Sequence, residues 1–142
     1  MPWSSKNERP RETEMMPQID GILETSLYVD DVERSVRFYE TIFGFRRIDT
    51  AGERGCALQA GDRQVLLLFK KGSSPDHDGS GNLHLAFATS APDLPAWEER
   101  LAEQGIAIEK RRAWEGGGKS LYFRDPDGHM LELATPGTWS IY

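Results

Sequence analysis

The chain has 142 residues, a formal net charge of -6 and one cysteine, length enough for a single domain with a real core. The acidic balance excludes a nucleic-acid binder, which needs a basic stripe, and no apolar run approaches the roughly 18 residues of a spanning helix. The lone Cys56 excludes an internal disulfide framework and a cysteine-rich zinc site; the expectation is a cytoplasmic protein with no membrane partner.

Residues 1–18 are polar, carry Pro2, Pro10 and Pro17 and show no apolar period, which predicts a flexible tail or an arm that orders on a partner subunit. Residues 23–29 alternate as a strand does, and Asp30-Asp31 can cap a helix. Val32, Val36, Tyr39 and Phe43 then recur at helical spacing, with Gly44 to close the helix. Three short strand-like pieces follow, at 45–48, 56–60 and 65–69. Residues 72–81 are a Gly/Ser/Asp-rich linker.

The second half repeats the order. Residues 83–88 form a strand, Ser90 or Asp93 can cap a helix, and Leu94, Trp97, Leu101 and Ile106 mark its buried side, with Gly105 at the stop. Strands are predicted near 106–111, 119–123 and 130–134. Laying the second half on the first puts His84 on Glu24 and Gly105 on Gly44. The predicted fold is α+β: two βαβββ modules, 19–71 and 82–136, whose curved mixed sheets form a shared metal-binding cleft, with a short extension at 137–142.

A duplicated unit puts equivalent positions on both walls of such a cleft, so a polar residue recurring at one repeat position carries information. Glu24 and His84 occupy that position. Glu132 interrupts a third apolar run, Met130-Leu131-Glu132-Leu133. A buried carboxylate is costly unless paired or bound to a metal, and two carboxylates with one imidazole suit a divalent cation while leaving positions open for substrate. The bland alternative points each of the three to solvent from the outer sheet face.

Ser120 and Tyr122 share one face by strand alternation and are candidate catalytic hydroxyls; read blandly, they are a strand hydroxyl and a core aromatic. Gly116-Gly117-Gly118 before Lys119-Ser120 lacks phosphate-loop spacing and precedes a strand, not a helix. It reads instead as a lid, with Trp114, able to cover a bound ligand, as a candidate substrate-binding residue. His129 is expected to be structural, His77 solvated, Arg124 paired with Asp125 or Asp127, and Cys56 a small core residue. The apolar ending can pack on the sheet or on a second subunit.

Two stretches carry a family resemblance. Residues 27–39 (LYVDDVERSVRFY) followed by Phe43-Gly44-Phe45 resemble the first module of the vicinal oxygen chelate superfamily, the group of glyoxalases, bleomycin-resistance proteins, ring-cleaving dioxygenases and fosfomycin-resistance thiol transferases. His84-Leu85-Ala86-Phe87 and residues 122–133 (YFRDPDGHMLEL) resemble its second module. The resemblance covers about residues 20–136. It implies metal ligands at Glu24, His84 and Glu132, in agreement with the repeat, and one divalent ion: Mn, Zn, Ni, Mg or Fe.

Many relatives carry histidine where this chain has Glu24, and the glutamate makes the site more oxygen-rich and less suited to an iron dioxygenase. Relatives that abstract protons place a Glu or Gln on the last strand of the first module. Here that strand reads Val65-Leu66-Leu67-Leu68-Phe69, so the lactoylglutathione lyase base is missing. Residues 116–123 also resemble the substrate-binding strand of fosfomycin-resistance enzymes, which implies Lys119 as a substrate-binding residue. The expectation is a metal-dependent enzyme acting on a small substrate by bidentate oxygen chelation, with lyase, thiol-transferase or dioxygenase chemistry, and a homodimer. The alternative is a bleomycin-resistance-like protein that sequesters a small molecule without chemistry.

Overall fold

The computed structural model describes residues 16–50 and 52–142, so most of the predicted tail at 1–18 lies outside the described residues. Strand β1 (Glu24–Val29) leads into helix α1 (Val32–Phe43) and strands β2 (Arg46–Thr50), β3 (Gly55–Gln59) and β4 (Val65–Lys70). The order then repeats: β5 (His84–Ala88), α2 (Leu94–Glu103), β6 (Lys110–Ala113), β7 (Lys119–Arg124) and β8 (Met130–Ala134). Each half is a four-stranded mixed sheet, ordered β1-β4-β3-β2 and β5-β8-β7-β6. The α+β class and the two βαβββ modules are as expected.

Local chemistry sets the boundaries. Asp31 accepts from the Arg34 amide as N-cap, and Gly44 closes α1 at φ 71°, a left-handed conformation that suits glycine. At α2 the capping oxygen is that of Ser90, which accepts from the Asp93 amide at 3.2 Å; the Asp93 side chain makes no cap bond. Strand β6 starts later than its apolar pattern suggests. Ile106 and Ile108 pack half-buried against the core, and ladder pairing with β7 begins at Lys110.

One apolar core runs through both modules. From α1 come Val32, Val36, Tyr39 and Ile42, from sheet one Leu27, Leu58, Leu66 and Leu68, and from sheet two Leu121, Phe123, Leu131 and Leu133. Phe43 is the hinge of the seam, its ring 4.8 Å from that of Phe87, 5.8 Å from Trp97 and 6.1 Å from Phe123.

The Asp125-Pro126-Asp127-Gly128-His129 turn then clamps the modules together. Asp125 accepts the Tyr39 hydroxyl at 2.7 Å and the amides of Asp127 and His129 at 2.9 Å. Asp127 accepts from the Asp30 amide, Arg34 and Ser35. The Leu83 amide donates to His129 Nδ1 at 3.0 Å, so Nε2 carries the proton given to the Tyr28 carbonyl at 3.1 Å, which fixes a neutral tautomer. His129 is structural, as expected. Arg124 pairs with neither Asp125 nor Asp127; it binds Glu109 at 3.2 Å and reaches the turn through the Gly128 carbonyl at 3.0 Å, because strand alternation turns it away from the buried Asp125. Cys56 is a buried core residue, and burial raises its thiol pKa.

Candidate metal centre

Each sheet has one face against the helices and one open face. On β5 the side chains of Leu85 and Phe87 go toward the core, leaving His84, Ala86 and Ala88 on the open side. The register carries that face across the sheet: Ala86 pairs with Glu132, Glu132 with Tyr122, and Tyr122 with Lys110. In the next row Ala88 pairs with Ala134, Ala134 with Ser120, and Ser120 with Arg112. Of the alanines on this face, Ala86 and Ala88 are exposed and Ala134 is buried.

Glu132 is 6% exposed, and ionised groups that deep need partners. Its Oε2 accepts the Ser120 hydroxyl at 2.6 Å, and its Oε1 lies 3.0 Å from His84 Nε2. His84 Nδ1 is 3.0 Å from the Met130 carbonyl. A carbonyl only accepts, so Nδ1 carries a proton there, and a neutral His84 turns the lone pair of Nε2 toward a carboxylate oxygen. Two lone pairs at that distance require a cation between or beside them: a proton on one of them, or a metal ion. A ligating imidazole whose other nitrogen donates to a backbone carbonyl is the usual arrangement in metal sites. The donor set fits a divalent cation.

Glu24 does not join this pair within one chain. It is the first residue of β1 and exposed, and among the described residues no three His, Cys, Asp or Glu side chains stand close enough to hold a metal. Its position nonetheless obeys the repeat. Glu24 pairs with Val65 and Ser26 with Leu67 in sheet one, where His84 pairs with Met130 and Ala86 with Glu132 in sheet two. Glu24 is thus the counterpart of His84, and Leu67 stands where Glu132 stands, so module one has no matching carboxylate.

Tyr122 lies on the same open face, its ring 6.2 Å from that of His84. Desolvation first, and then the Glu132 charge, raise its pKa, so the phenol stays a proton donor through neutral pH. Ser120 is 1% exposed and its proton is committed to Glu132, so it is not the free hydroxyl expected. Lys119 lies on the opposite face, because adjacent strand residues alternate and Ser120 takes the open one; it lines a cavity of about 530 Å³ beside Leu94, Pro95 and Glu98 of α2. Trp114 is no loose lid residue either: its Nε1–H donates to Ser120 Oγ at 2.9 Å. The glycine loop closes as a tight turn against the C-terminal segment, where a Cβ on Gly116 or Gly118 would collide with Gly137 or Thr138 backbone.

Two cations of the open face escaped the sequence reading. Lys110 Nζ is 5.8 Å from the Tyr122 ring centre, and the Arg112 guanidinium is 3.7 Å from that of Trp114. The signal was available: in Lys110-Arg111-Arg112 alternation puts the first and third residues on one face, and Arg111, on the other, pairs with Glu98 at 2.7 Å. His77 is exposed but engaged. Its Nδ1 is 2.7 Å from the Tyr28 hydroxyl, so the linker folds over the far end of sheet one's open face.

Comparison with known proteins agrees with this architecture. Residues 21–133 match the Glyoxalase/Bleomycin resistance protein/Dioxygenase superfamily. The chain belongs to that superfamily. It is 32% identical over 119 residues to the metallothiol transferase FosB of Bacillus licheniformis, covering 83% of this chain and 77% of that protein. It superposes with a TM-score of 0.82 on a lactoylglutathione lyase from Agrobacterium tumefaciens, at 28% identity over 87% of this chain and 99% of that one. A fosfomycin resistance protein FosX variant from Listeria monocytogenes, solved with Mn(II) and 1S,2S-dihydroxypropylphosphonic acid, superposes at 0.65 with 25% identity, covering 82% and 90%.

Proposed function

We propose that the protein is a divalent-metal-dependent enzyme of thiol-transferase or lyase type, acting on a small anionic substrate from a site built between two copies of the chain. The observation that carries the reading is the His84 Nε2–Glu132 Oε1 pair at 3.0 Å, with Nδ1 of the same ring tied to the Met130 carbonyl. His84 and Glu132 would hold the ion together with Glu24 of a second copy. The bound cation would supply Lewis-acid polarisation of a substrate oxygen.

What a single chain leaves open supports a homodimer. Among the described residues, strands β1 and β5 each have one ladder neighbour, and unpaired sheet edges invite pairing. Ile19, Ile22 and Leu23 before β1, and Trp139 and Ile141 at the other end, are exposed apolar side chains. A two-fold arrangement would lay the open face of sheet one on the open face of its partner's sheet two. Glu24 would then complete the triad twice per dimer.

The chain's own groups divide the remaining work. Arg112 and Lys110 attract and orient an anion on the open face. The Tyr122 hydroxyl, held protonated by its surroundings, donates to the oxygen on which negative charge develops. Leu67, at the position matching Glu132, offers no base for abstracting a substrate proton. That favours addition of a thiolate over a glyoxalase-type isomerisation, in keeping with the thiol-transferase relatives.

Glu24→Ala and His84→Ala are each expected to lose metal and thiol-transfer activity, followed as loss of free thiol with glutathione and fosfomycin. Mixing the two variants and refolding them together should restore both, because one site of each hybrid is intact. Metal retained by His84→Ala, or a mixture as inactive as its components, would refute the reading.

A further inference from the structure

Trp114, Ser120 and Glu132 form a chain of hydrogen bonds whose directions are all determined. An indole N–H can only donate, so Ser120 Oγ is the acceptor of the 2.9 Å bond from Trp114. The single proton of Ser120 is then left for Glu132 Oε2, at 2.6 Å, the length of a hydroxyl bound to a carboxylate. Ser120 is 1% exposed, so water does not compete for it. One oxygen of Glu132 is thereby taken, and only Oε1 faces His84 Nε2.

We infer that Trp114 and Ser120 are positioning residues that fix Glu132 as a one-oxygen metal ligand and tie that ligand to the anion-binding cation Arg112. The tie to Arg112 is direct, since its guanidinium lies over the same indole at 3.7 Å, a favourable cation–π placement. Trp114 thus holds the anion-binding cation with its ring face and the metal ligand's partner with its ring edge. Loss of the indole N–H leaves Ser120 free to rotate, and loss of the Ser120 hydroxyl frees Oε2 and lets the carboxylate turn. Partners of this kind around metal ligands typically contribute about 10- to 100-fold in affinity. The inference rests on the metal reading proposed above.

The test is titration of the metal-stripped full chain with Mn(II), counting free ion by electron paramagnetic resonance, for wild type, Trp114→Phe, Ser120→Ala, the double variant and His84→Ala. Trp114→Phe keeps a ring for Arg112 to stack on and removes only the donor, which guards against a folding artefact in Ser120→Ala. Each single variant is expected to bind Mn(II) roughly 10- to 100-fold more weakly. The double variant should be no weaker than Ser120→Ala alone, because the two residues act in series. Wild-type affinity in Ser120→Ala, or losses that multiply in the double variant, would overturn the relay while leaving the metal site standing. No Mn(II) bound by wild type, or full binding by His84→Ala, would overturn the metal reading and the relay with it.

Discussion

Tyr39→Phe isolates the bond that locks the two modules together. Tyr39 is completely buried, and its hydroxyl donates to Asp125 Oδ2 at 2.7 Å. The phenylalanine ring fills the same space, so no cavity forms beyond one oxygen atom, and the change removes a hydrogen bond to a buried carboxylate. Such bonds are worth about 1.5–3 kcal/mol. Asp125 keeps its two backbone donors on Oδ1, so the carboxylate is not orphaned and the expected loss stays within that range. For a domain of this size each kcal/mol lowers Tm by roughly 3–5 °C, giving a fall of roughly 5–15 °C.

Urea unfolding followed by both far-ultraviolet circular dichroism and tryptophan fluorescence is the assay. The two probes should shift together with an unchanged slope, since one core runs through both modules and they unfold as one. A loss under about 0.5 kcal/mol would refute the clamp, and separated transitions would refute the single core. The pH dependence follows from the same residue. Burial, then the Asp125 charge, raise the Tyr39 pKa above its ordinary value. A folded pKa raised above the unfolded one gives stability that is present below the unfolded pKa of about 10 and is lost as pH rises beyond it. Wild type should therefore weaken in alkali, and Tyr39→Phe should weaken less steeply there.

Tyr122→Phe is expected to lower kcat roughly 10- to 100-fold with little change in metal content, checked by steady-state kinetics beside elemental analysis. Arg112→Gln should raise the KM for an anionic substrate roughly 10- to 100-fold, with the difference from wild type shrinking at high salt if the contact is electrostatic. Cys56, buried with a raised thiol pKa, should react with a thiol reagent only as fast as the chain unfolds, and rapid labelling of the native protein would contradict its place in the core.

Alternation and spacing within the sequence determined most of the architecture. Strand period, helix period and the glycine at the end of α1 are local properties, and duplication made them legible twice. His84 was legible as the repeat counterpart of Glu24, and Glu132 because it interrupts an apolar run and a buried carboxylate must find a partner. That His129 is structural was legible from its place after the Asp-Pro-Asp-Gly turn; that it joins Leu83 to Tyr28 across the modules was not. Alternation alone puts Ser120 with Tyr122 and Lys110 with Arg112, but which face is open, and that Ser120 donates its proton to Glu132, depends on cross-strand register. The linker histidine found Tyr28 because the chain folds back over sheet one, which composition cannot express. Glu24 marks the boundary most clearly. Its repeat position and its place on the other sheet are written in the sequence, but whether it reaches His84 and Glu132 is a matter of which surfaces meet, and only the tertiary structure showed it apart from them within one chain.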